Sequence, residues 1–237
     1  MDESTIRQLN AINREFYQTT ATEFDQTRVR AWQGWLTLRE YLTAPLSVLD
    51  VGCGNGRFGL FLAESFSENI SYHGIDNNAA LLEAAKISLA DKPQLTLTLI
   101  QQDIISQALP DGTFDLLVLF GVIHHVPGTE KRRDFMQQLA QRVAPNGILC
   151  FASWRFYEYE RFRARLVNWS DDIAVEQGDY LLDWRRGERA LRYCHYVDDA
   201  EHTALIAATG LSEVTSYRAD GSDNRMNVYS ILRKDVS

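Results

Sequence analysis

Apolar residues at the start of the chain recur at three- and four-residue steps, which is the period of an amphipathic helix. We therefore expect two helices between residues 5 and 43, joined near residues 25–27. The spacing runs through Ile6, Leu9, Ile12, Phe16 and Tyr17, and it resumes at Trp32, Trp35, Leu36 and Leu38.

From residue 46 the pattern changes to short apolar runs that alternate with longer amphipathic segments. This alternation is typical of β-α-β units that build a mostly parallel sheet. Two late apolar runs flank a turn-rich stretch at 219–224 and should pair as an antiparallel hairpin at the sheet edge. The predicted strands are 47–51, 71–75, 95–100, 116–120, 148–152, 211–217 and 226–232, and the predicted helices of the core are 57–66, 79–90 and 130–143.

The pattern as a whole predicts an α/β fold, with a doubly wound, seven-stranded, mostly parallel sheet and a C-terminal antiparallel hairpin. With 237 residues, 45% hydrophobic side chains and no linker-like segment, the chain is expected to form a single domain around one core. Within it we expect N-terminal helices in 1–45, a central core in 46–153, a helical cap in 154–195, and a C-terminal helix and hairpin in 196–237.

Composition and charge indicate which cellular environment and which binding partners to expect. The three cysteines are widely spaced and form no C-x-x-C pair, so neither a disulfide framework nor a metal site is expected. Polar first residues, and no apolar run near the roughly 18 residues of a membrane span, predict a soluble cytoplasmic protein without a membrane segment. A net charge of -8 argues against non-specific nucleic-acid binding, although a local basic face stays open.

The segment Gly52-Cys53-Gly54-Asn55-Gly56 joins the first predicted strand to the first helix of the core. Glycines let the backbone turn with unusual dihedral angles and let a ligand approach without a Cβ in the way, while the free N–H groups of the helix face that ligand. Three glycines at alternate positions exceed what a plain turn needs. The loop therefore predicts a bound cofactor.

Two cofactors fit this loop. Residues 54–59 match the dinucleotide pattern G-x-G-x-x-G, and Asp76 ends the second predicted strand at the expected distance of about 20 residues. Asp50, just before the glycines, would repel a pyrophosphate but would attract a cationic methionine group. We therefore favour a sulfonium cofactor over a dinucleotide.

An acid followed by G-x-G-x-G, here Asp50, Gly52, Gly54 and Gly56, resembles the first motif of the class I S-adenosylmethionine (SAM) dependent methyltransferases. The resemblance implies a Rossmann-like enzyme that uses SAM as its cofactor. It also implies that Asp76 binds both ribose hydroxyls, which a carboxylate can do by accepting two hydrogen bonds. Capping the next helix is the alternative role for Asp76.

The segment after the third strand resembles the adenine contact of the same family. There Asp103 would meet the exocyclic amine, and the backbone N–H of Ile104 would meet a ring nitrogen. An ordinary surface acid is the alternative for Asp103. The resemblance also puts four further residues at the cofactor, namely Tyr17, Cys53, Asn77 and Phe120.

Adjacent histidines, His124 and His125, follow the fourth strand at the edge where doubly wound sheets bind ligands. Their side chains diverge, and no Cys or carboxylate stands at ligand spacing in the sequence, so we do not expect them to bind a metal. We expect His125 to line the methyl-transfer pocket, where it could orient a nucleophile or accept a proton near neutral pH. His124 would then pack or cap a helix.

Several stretches resemble a narrower group, the methyltransferases that convert the carboxymethyl group of a modified wobble uridine in tRNA to a methyl ester. Residues 24–32 match its F-x-x-T-R-x-x-x-W segment, 123–125 with 132–133 match a second stretch, and 192–196 match a third. The resemblance implies tRNA as the methyl acceptor, and a small zinc-binding activator protein as a conceivable partner. The segment between residues 154 and 191 has no counterpart in that group.

A carboxylate acceptor is already a nucleophile, so it needs orientation more than a strong base. Our candidates are Arg28 and the pair Arg192 and His195, with ordinary surface ion pairing as the alternative for each. Segment 154–195 interleaves arginines with aromatic residues, which suits phosphate contacts and base stacking. A matching number of acids in that span leaves open a lid over a small-molecule pocket.

Three functions therefore stay open on the sequence. The first is a methyltransferase acting on tRNA. The second is a methyltransferase for a small carboxylate, amine or phenol. The third is a SAM-binding module without catalysis.

Overall fold

The computed structural model describes residues 1–27, 30–170, 172–185 and 187–235. Within these ranges the helices are α1 Glu3–Gln26, α2 Gln33–Arg39, α3 Arg57–Ser65, α4 Ala79–Leu89, α5 Thr129–Gln141, α6 Glu160–Arg163 and α7 Asp199–Thr209. The strands are β1 Leu46–Val51, β2 Ile70–Asp76, β3 Leu95–Gln101, β4 Phe114–Phe120, β5 Val143–Trp154, β6 Leu166–Val167, β7 Asp179–Trp184, β8 Ala190–His195, β9 Ser212–Ala219 and β10 Asn227–Arg233.

Seven of these strands form the central sheet, in the order β3-β2-β1-β4-β5-β10-β9. Strands β1 to β5 run parallel, and β10 pairs antiparallel with both β5 and β9. The predicted fold class is thereby confirmed, including the C-terminal hairpin. The predicted strands agree with the observed ones to within a few residues at their ends.

The central strands are apolar on both faces because helices cover both faces of the sheet. Successive strand residues point to opposite sides. In β1, Val48 packs into a cluster with Trp35 of α2 and Phe58 of α3. The next residue, Leu49, packs into the opposite cluster with Met136 of α5. Such doubly covered strands read as continuous apolar runs, which is why the sequence indicated them.

Strand β1 lies between β2 and β4. The strands β2 and β3 are added on one side of β1, and β4 and β5 are added on the other side. This is the topological switch point at which doubly wound sheets bind their ligands. The glycine loop after β1, Asp76 at the end of β2 and the histidines after β4 consequently meet at one edge.

Residues 154–195, which we call the insert, do not form the helical cap that the sequence predicts. Its strands β6, β7 and β8 form a separate antiparallel sheet. Its described helical parts are one 3-10 turn at Phe156–Glu158 and the four-residue α6. Apolar residues two apart, such as Leu191 and Tyr193, and a glycine turn at Gly187 with φ 67° favour a hairpin over a helix.

Of the helices in the described ranges, none is both long and apolar enough to cross a membrane. The cellular compartment stays a prediction.

Candidate active site

A cavity of about 750 Å³ opens at the carboxyl edge of β1, β2 and β4, a volume within the range of small-molecule sites. Its walls come from α1, the glycine loop, the loops after β2, β3 and β4, the insert and the loop between β9 and β10. The predicted site residues that line it are Tyr17, Asp50, Gly52, Cys53, Gly54, Asp76, Asn77, Asp103, Ile104, Phe120, His125 and Arg192.

The three glycines after β1 have positive φ angles but different surroundings. A Cβ on Gly52 would overlap Val122, and a Cβ on Gly56 would lie 3.0 Å from Ala85 of α4. A Cβ on Gly54 would meet nothing within 4 Å. Gly54 therefore borders the open space of the cavity, whereas Gly56, predicted to bind the cofactor, allows close packing of the loop on α4 and is absent from the cavity lining.

Asp76 is held at the end of β2 by two backbone amides. Its Oδ2 accepts a hydrogen bond from Gly54 N, and its Oδ1 accepts one from Asn78 N, each at 2.9 Å. Burial raises the pKa of Asp76, and these amides act against that rise. The N-cap of α4 is Asn78, which accepts from Leu81 N at 3.0 Å. Asp76 thus keeps further lone pairs for a ligand.

Asp50 is buried at the floor of the cavity and accepts a hydrogen bond from the Tyr72 hydroxyl at 2.5 Å. Burial raises the pKa of Asp50 to about 7, and the nearby Asp76 charge adds to the rise, while the Tyr72 hydrogen bond opposes it. A cationic group bound beside Asp50 would favour its ionised form.

The loop after β3 is held by α1. Asp103 Oδ2 accepts a hydrogen bond from Asn10 Nδ2 at 2.8 Å, and its Oδ1 accepts one from Ile105 N at 3.0 Å. Asp103 is therefore a structured acid of the cavity wall, beside Ile104. The Asn10 contact could not be seen in the sequence, since 93 positions separate the two residues.

Apolar side chains complete the cofactor side. The Phe120 ring lies 5.1 Å from that of Phe58 and 5.6 Å from that of Trp35, measured between centroids. Burial raises the pKa of the Cys53 thiol well above its ordinary value, so Cys53 presents a neutral group to the cavity. Asn77 lines the cavity next to Asp76.

His125 contacts α1 and the insert at once. Its Nδ1 lies 2.9 Å from the Tyr193 carbonyl oxygen, which can only accept, so Nδ1 carries the proton. Its Nε2 then accepts from the Tyr17 hydroxyl at 2.9 Å. Burial and the Arg192 charge lower the pKa of His125 to about 3. Of the two roles predicted for His125, the geometry favours orienting a nucleophile over accepting a proton near neutral pH, because Nε2 is engaged and burial disfavours the charged imidazole.

Arg192 is a buried cation on the cavity wall, with 8% of its surface exposed. Its guanidinium carbon lies 4.8 Å from the centroid of Trp154 and 5.2 Å from that of Phe16. Among the described residues, no ion pair joins Arg192 to a carboxylate, and its Nε has no hydrogen-bond partner. Two aromatic faces thus hold a positive charge for which the described part of the chain supplies no carboxylate.

His195, predicted to act with Arg192, is absent from the cavity lining. Its Nδ1 lies 2.7 Å from Asp179 Oδ1, and its Nε2 lies 2.6 Å from Glu201 Oε2 and 3.0 Å from the Arg132 guanidinium. Burial acts against the charged imidazole, but the two carboxylates outweigh it and raise the pKa of His195. This network ties the insert to α5 and α7, so His195 supports the site without reaching it.

Arg28, a candidate for orienting the acceptor, lies outside the described residues. Although no Cys stands at ligand spacing from the paired histidines in the sequence, β8 brings Cys194 close enough that its ligand atom and those of His124 and His125 lie within 4.8 Å of one another. The Arg192 charge beside them, and a Cys194 pKa that burial raises to about 11, disfavour a cation there.

Sequence reasoning missed several cavity residues. Asn13 sits on the buried stripe of α1, where an amide at an apolar position was the available signal. Asp220 accepts hydrogen bonds from Tyr229 at 2.6 Å and Asn227 at 2.7 Å. Arg57 lies over Trp32 at 5.2 Å. Asp220 also accepts a hydrogen bond from Gly34 N, 186 positions away, and Arg57 meets Trp32 from a separate segment, so no local pattern indicated either residue.

Comparison with known proteins agrees with this geometry. Residues 49–149 match a family model described as a methyltransferase domain. A putative methyltransferase of Encephalitozoon cuniculi is 28% identical over 184 residues, which cover 76% of this chain and 77% of that protein. The tRNA (carboxymethyluridine(34)-5-O)-methyltransferase of Mus musculus is 22% identical over 166 residues, which cover 70% of this chain and 23% of that protein.

A solved structure shares the fold. The N-methyltransferase NodS of Bradyrhizobium japonicum in complex with S-adenosyl-L-homocysteine has a TM-score of 0.56 at 17% identity, over 98% of this chain and 99% of its own. Sheet order, cavity and matches together define the class: the chain is a SAM-dependent methyltransferase with the class I fold.

The residues fit this cofactor. The open side of Gly54 allows close approach of a ligand, the spare lone pairs of Asp76 suit a ribose diol, and Asp50 suits a cationic methionine group. Asp103 remains the predicted contact for adenine.

Proposed function

We propose that the protein transfers the methyl group of SAM to a carboxylate, and that the acceptor is the carboxymethyl group of a modified wobble uridine in tRNA. The observation that carries the proposal is Arg192, a buried guanidinium on the cavity wall without a carboxylate partner among the described residues. A guanidinium can hold a carboxylate through two parallel hydrogen bonds.

The neutral histidines favour a carboxylate over an amine or a phenol. An amine or phenol must lose a proton to its surroundings, so it benefits from a general base. Burial lowers the pKa of both His124 and His125, and the Tyr17 hydroxyl already donates to His125 Nε2. A carboxylate is ionised at neutral pH and needs no such base.

The shape of the acceptor side favours a planar ring beside that carboxylate. Trp154, Phe162 and Trp184 line the cavity around Arg192. Aromatic faces of this kind stack on nucleobases. The mouse relative, a tRNA (carboxymethyluridine(34)-5-O)-methyltransferase, also supports this acceptor.

The reaction then depends on alignment. Bound SAM supplies an electrophilic methyl group. Arg192 orients the acceptor oxygen, the Trp154 and Phe16 rings hold the guanidinium, and α1 with the insert excludes water from the site. Positioning of this kind can supply most of the rate enhancement for a simple in-line displacement.

A second candidate is a small-molecule carboxylate. The net charge of -8 favours it, since it gives no global attraction to RNA. One experiment separates the two: incubation of the protein with methyl-labelled SAM and either unmethylated tRNA or a set of small carboxylic acids. We expect label in tRNA, at a nucleoside that mass spectrometry identifies as the methyl ester. Label confined to the small acids would replace the first candidate with the second.

A further inference from the structure

The outer part of the insert carries a stacked pair of aromatic rings. The rings of Tyr157 and Tyr180 lie 4.6 Å apart between centroids, with 24° between their planes. Both side chains are only partly buried. Phe162, also partly buried, follows on α6 with the Arg161 guanidinium 4.9 Å from its centroid. Aromatic surface thus continues across this part of the insert.

Arg161 and Arg163 add unpaired positive charge to the same surface. Both are exposed. Neither forms an ion pair with any carboxylate that the structure describes, whereas Arg218 lies 2.6 Å from Glu158. Arg163 instead donates a hydrogen bond to the Tyr157 carbonyl at 2.6 Å, and its guanidinium lies 6.0 Å from the Tyr157 ring. Arg163 is thereby held beside the stacked rings, whereas the Arg161 guanidinium lies over Phe162 and, at 5.5 Å, over Tyr159.

This surface runs into the cavity. Phe162 lines the cavity, and its ring lies 4.9 Å from that of Trp154, which contacts Arg192. Arg165, at the end of the same turn, lines the cavity as well. A polymer lying along the surface would therefore have one residue at the mouth of the acceptor site.

We propose that Tyr157, Arg161, Phe162, Arg163 and Tyr180, here the RNA platform, bind the single-stranded nucleotides next to the methyl acceptor. This inference rests on the proposed function and names the surface that recognises its polymeric substrate. Aromatic faces stack on any base, and exposed arginines contact phosphates. The platform requires an unpaired strand, such as an anticodon loop, because duplex bases are not free to stack on protein rings. Arg161 and Arg163 supply the phosphate contacts on a chain whose net charge is -8.

The test compares a polymeric with a minimal acceptor, using the full chain. Arg161→Gln combined with Arg163→Gln should lower kcat/KM on tRNA bearing a carboxymethyl-modified wobble uridine about tenfold or more. The same variant should leave kcat/KM on the free modified nucleoside unchanged. The slope of log kcat/KM against log salt concentration should fall by about 1.4, since each single-strand phosphate contact contributes roughly 0.7.

Tyr157→Leu provides a second readout because it removes a stacking face and no charge. It should lower kcat/KM on tRNA about tenfold, in the range of one lost base stack, and leave the salt slope intact. The matched control is Arg7→Gln with Arg39→Gln, two exposed arginines outside the insert. It should methylate tRNA as the wild type does.

Two results overturn the inference, and they differ from each other. If the wild type methylates tRNA and the platform variants do so equally well, the platform does not bind RNA. A surface that binds an acidic protein partner instead would give this result. If the wild type methylates only the nucleoside or small acids, the proposed tRNA acceptor fails together with the platform.

Discussion

The Tyr17 hydroxyl donates a hydrogen bond of 2.9 Å to Nε2 of His125, which links the N-terminal helix to the loop after β4. The same helix also contacts the loops after β3 and β2. Asn10 donates to Asp103 after β3, and Asn78 after β2 donates to the Tyr17 carbonyl at 2.8 Å. Helix α1 thus closes one side of the site through three contacts with separate loops.

Replacing Tyr17 with Phe tests this closure. One neutral hydrogen bond contributes about 1 kcal/mol, so SAM affinity should fall by about three- to tenfold if α1 must be closed for binding. Isothermal titration calorimetry measures this directly. Tyr41→Phe, a tyrosine outside the cavity lining, serves as the control. Equal SAM affinity in Tyr17→Phe and the wild type would show that closure does not depend on this bond.

Replacing Asp76 with Ala tests the cofactor assignment. If its carboxylate binds the ribose diol, SAM affinity should fall more than tenfold, or about 1.4 kcal/mol or more for charged hydrogen bonds. Calorimetry on folded protein again provides the measurement. Asp91→Ala, an exposed acid after α4, should bind SAM normally. Unchanged affinity in Asp76→Ala would remove this residue from the cofactor site.

Replacing Arg192 tests the acceptor assignment. Arg192→Met keeps an apolar chain between Phe16 and Trp154 but removes the charge. Loss of a charged hydrogen-bonding partner costs about 1.5–3 kcal/mol, so kcat/KM for the acceptor should fall about 10- to 100-fold while SAM affinity stays unchanged. Arg192→Lys should recover part of the loss, since it restores charge without the planar fork.

The control for this series is Arg189→Met, a change at an insert arginine whose side chain is 86% exposed. A similar fall in both variants would mean that the insert needs positive charge in general. Full activity of Arg192→Met would contradict a carboxylate site at this residue.

Acid should destabilise the fold through His202. Its Nδ1 and Nε2 each lie 2.8 Å from a buried hydroxyl, those of Ser153 and Ser230. Burial lowers the pKa of His202 to about 4, and the Arg155 charge adds to the effect. Since an unfolded histidine binds its proton near pH 6.5, the unfolded state gains protons first as the pH falls. The His202 contribution to the free energy of unfolding should therefore drop by about 2 kcal/mol between pH 7.5 and pH 5.

Urea denaturation of the wild type and His202→Gln at several pH values isolates this contribution. Glutamine can hydrogen-bond to the serines but does not titrate in this range, so the variant should lose less stability on acidification. Parallel curves for the two proteins would assign the acid sensitivity to other groups.

Much of the fold could be predicted because its signals are local. The strands around Val48 and Leu117 are buried on both faces and read as apolar runs. Positive φ angles at Gly52 and Gly54 account for the glycines between β1 and α3. The insert departs from the predicted helical cap because its strands are only two to six residues long, which leaves little local signal for a sheet. Gly187, which separates the apolar and aromatic residues of β7 from those of β8, is the sequence signal that favours a hairpin there.

The residues that line the acceptor side of the cavity were less predictable, because contacts between residues far apart in the sequence determine which side chains face it. Arg192 was found from its motif, but its burial between Phe16 and Trp154 depends on three separate elements. His195 carried the same motif signal and lies in an ion network instead. Sequence spacing identifies which residue types come near the site, whereas only packing decides which of them face the cavity.

The central claim is that the acceptor atom is a carboxylate oxygen oriented by Arg192. The most direct measurement is the alkali lability of the methyl group transferred from labelled SAM. A methyl ester should release the label as volatile methanol under mild alkali, and we expect this release from the methylated product. Label that stays bound to the product would indicate a methylated nitrogen, carbon or ether oxygen and would contradict methyl transfer to a carboxylate.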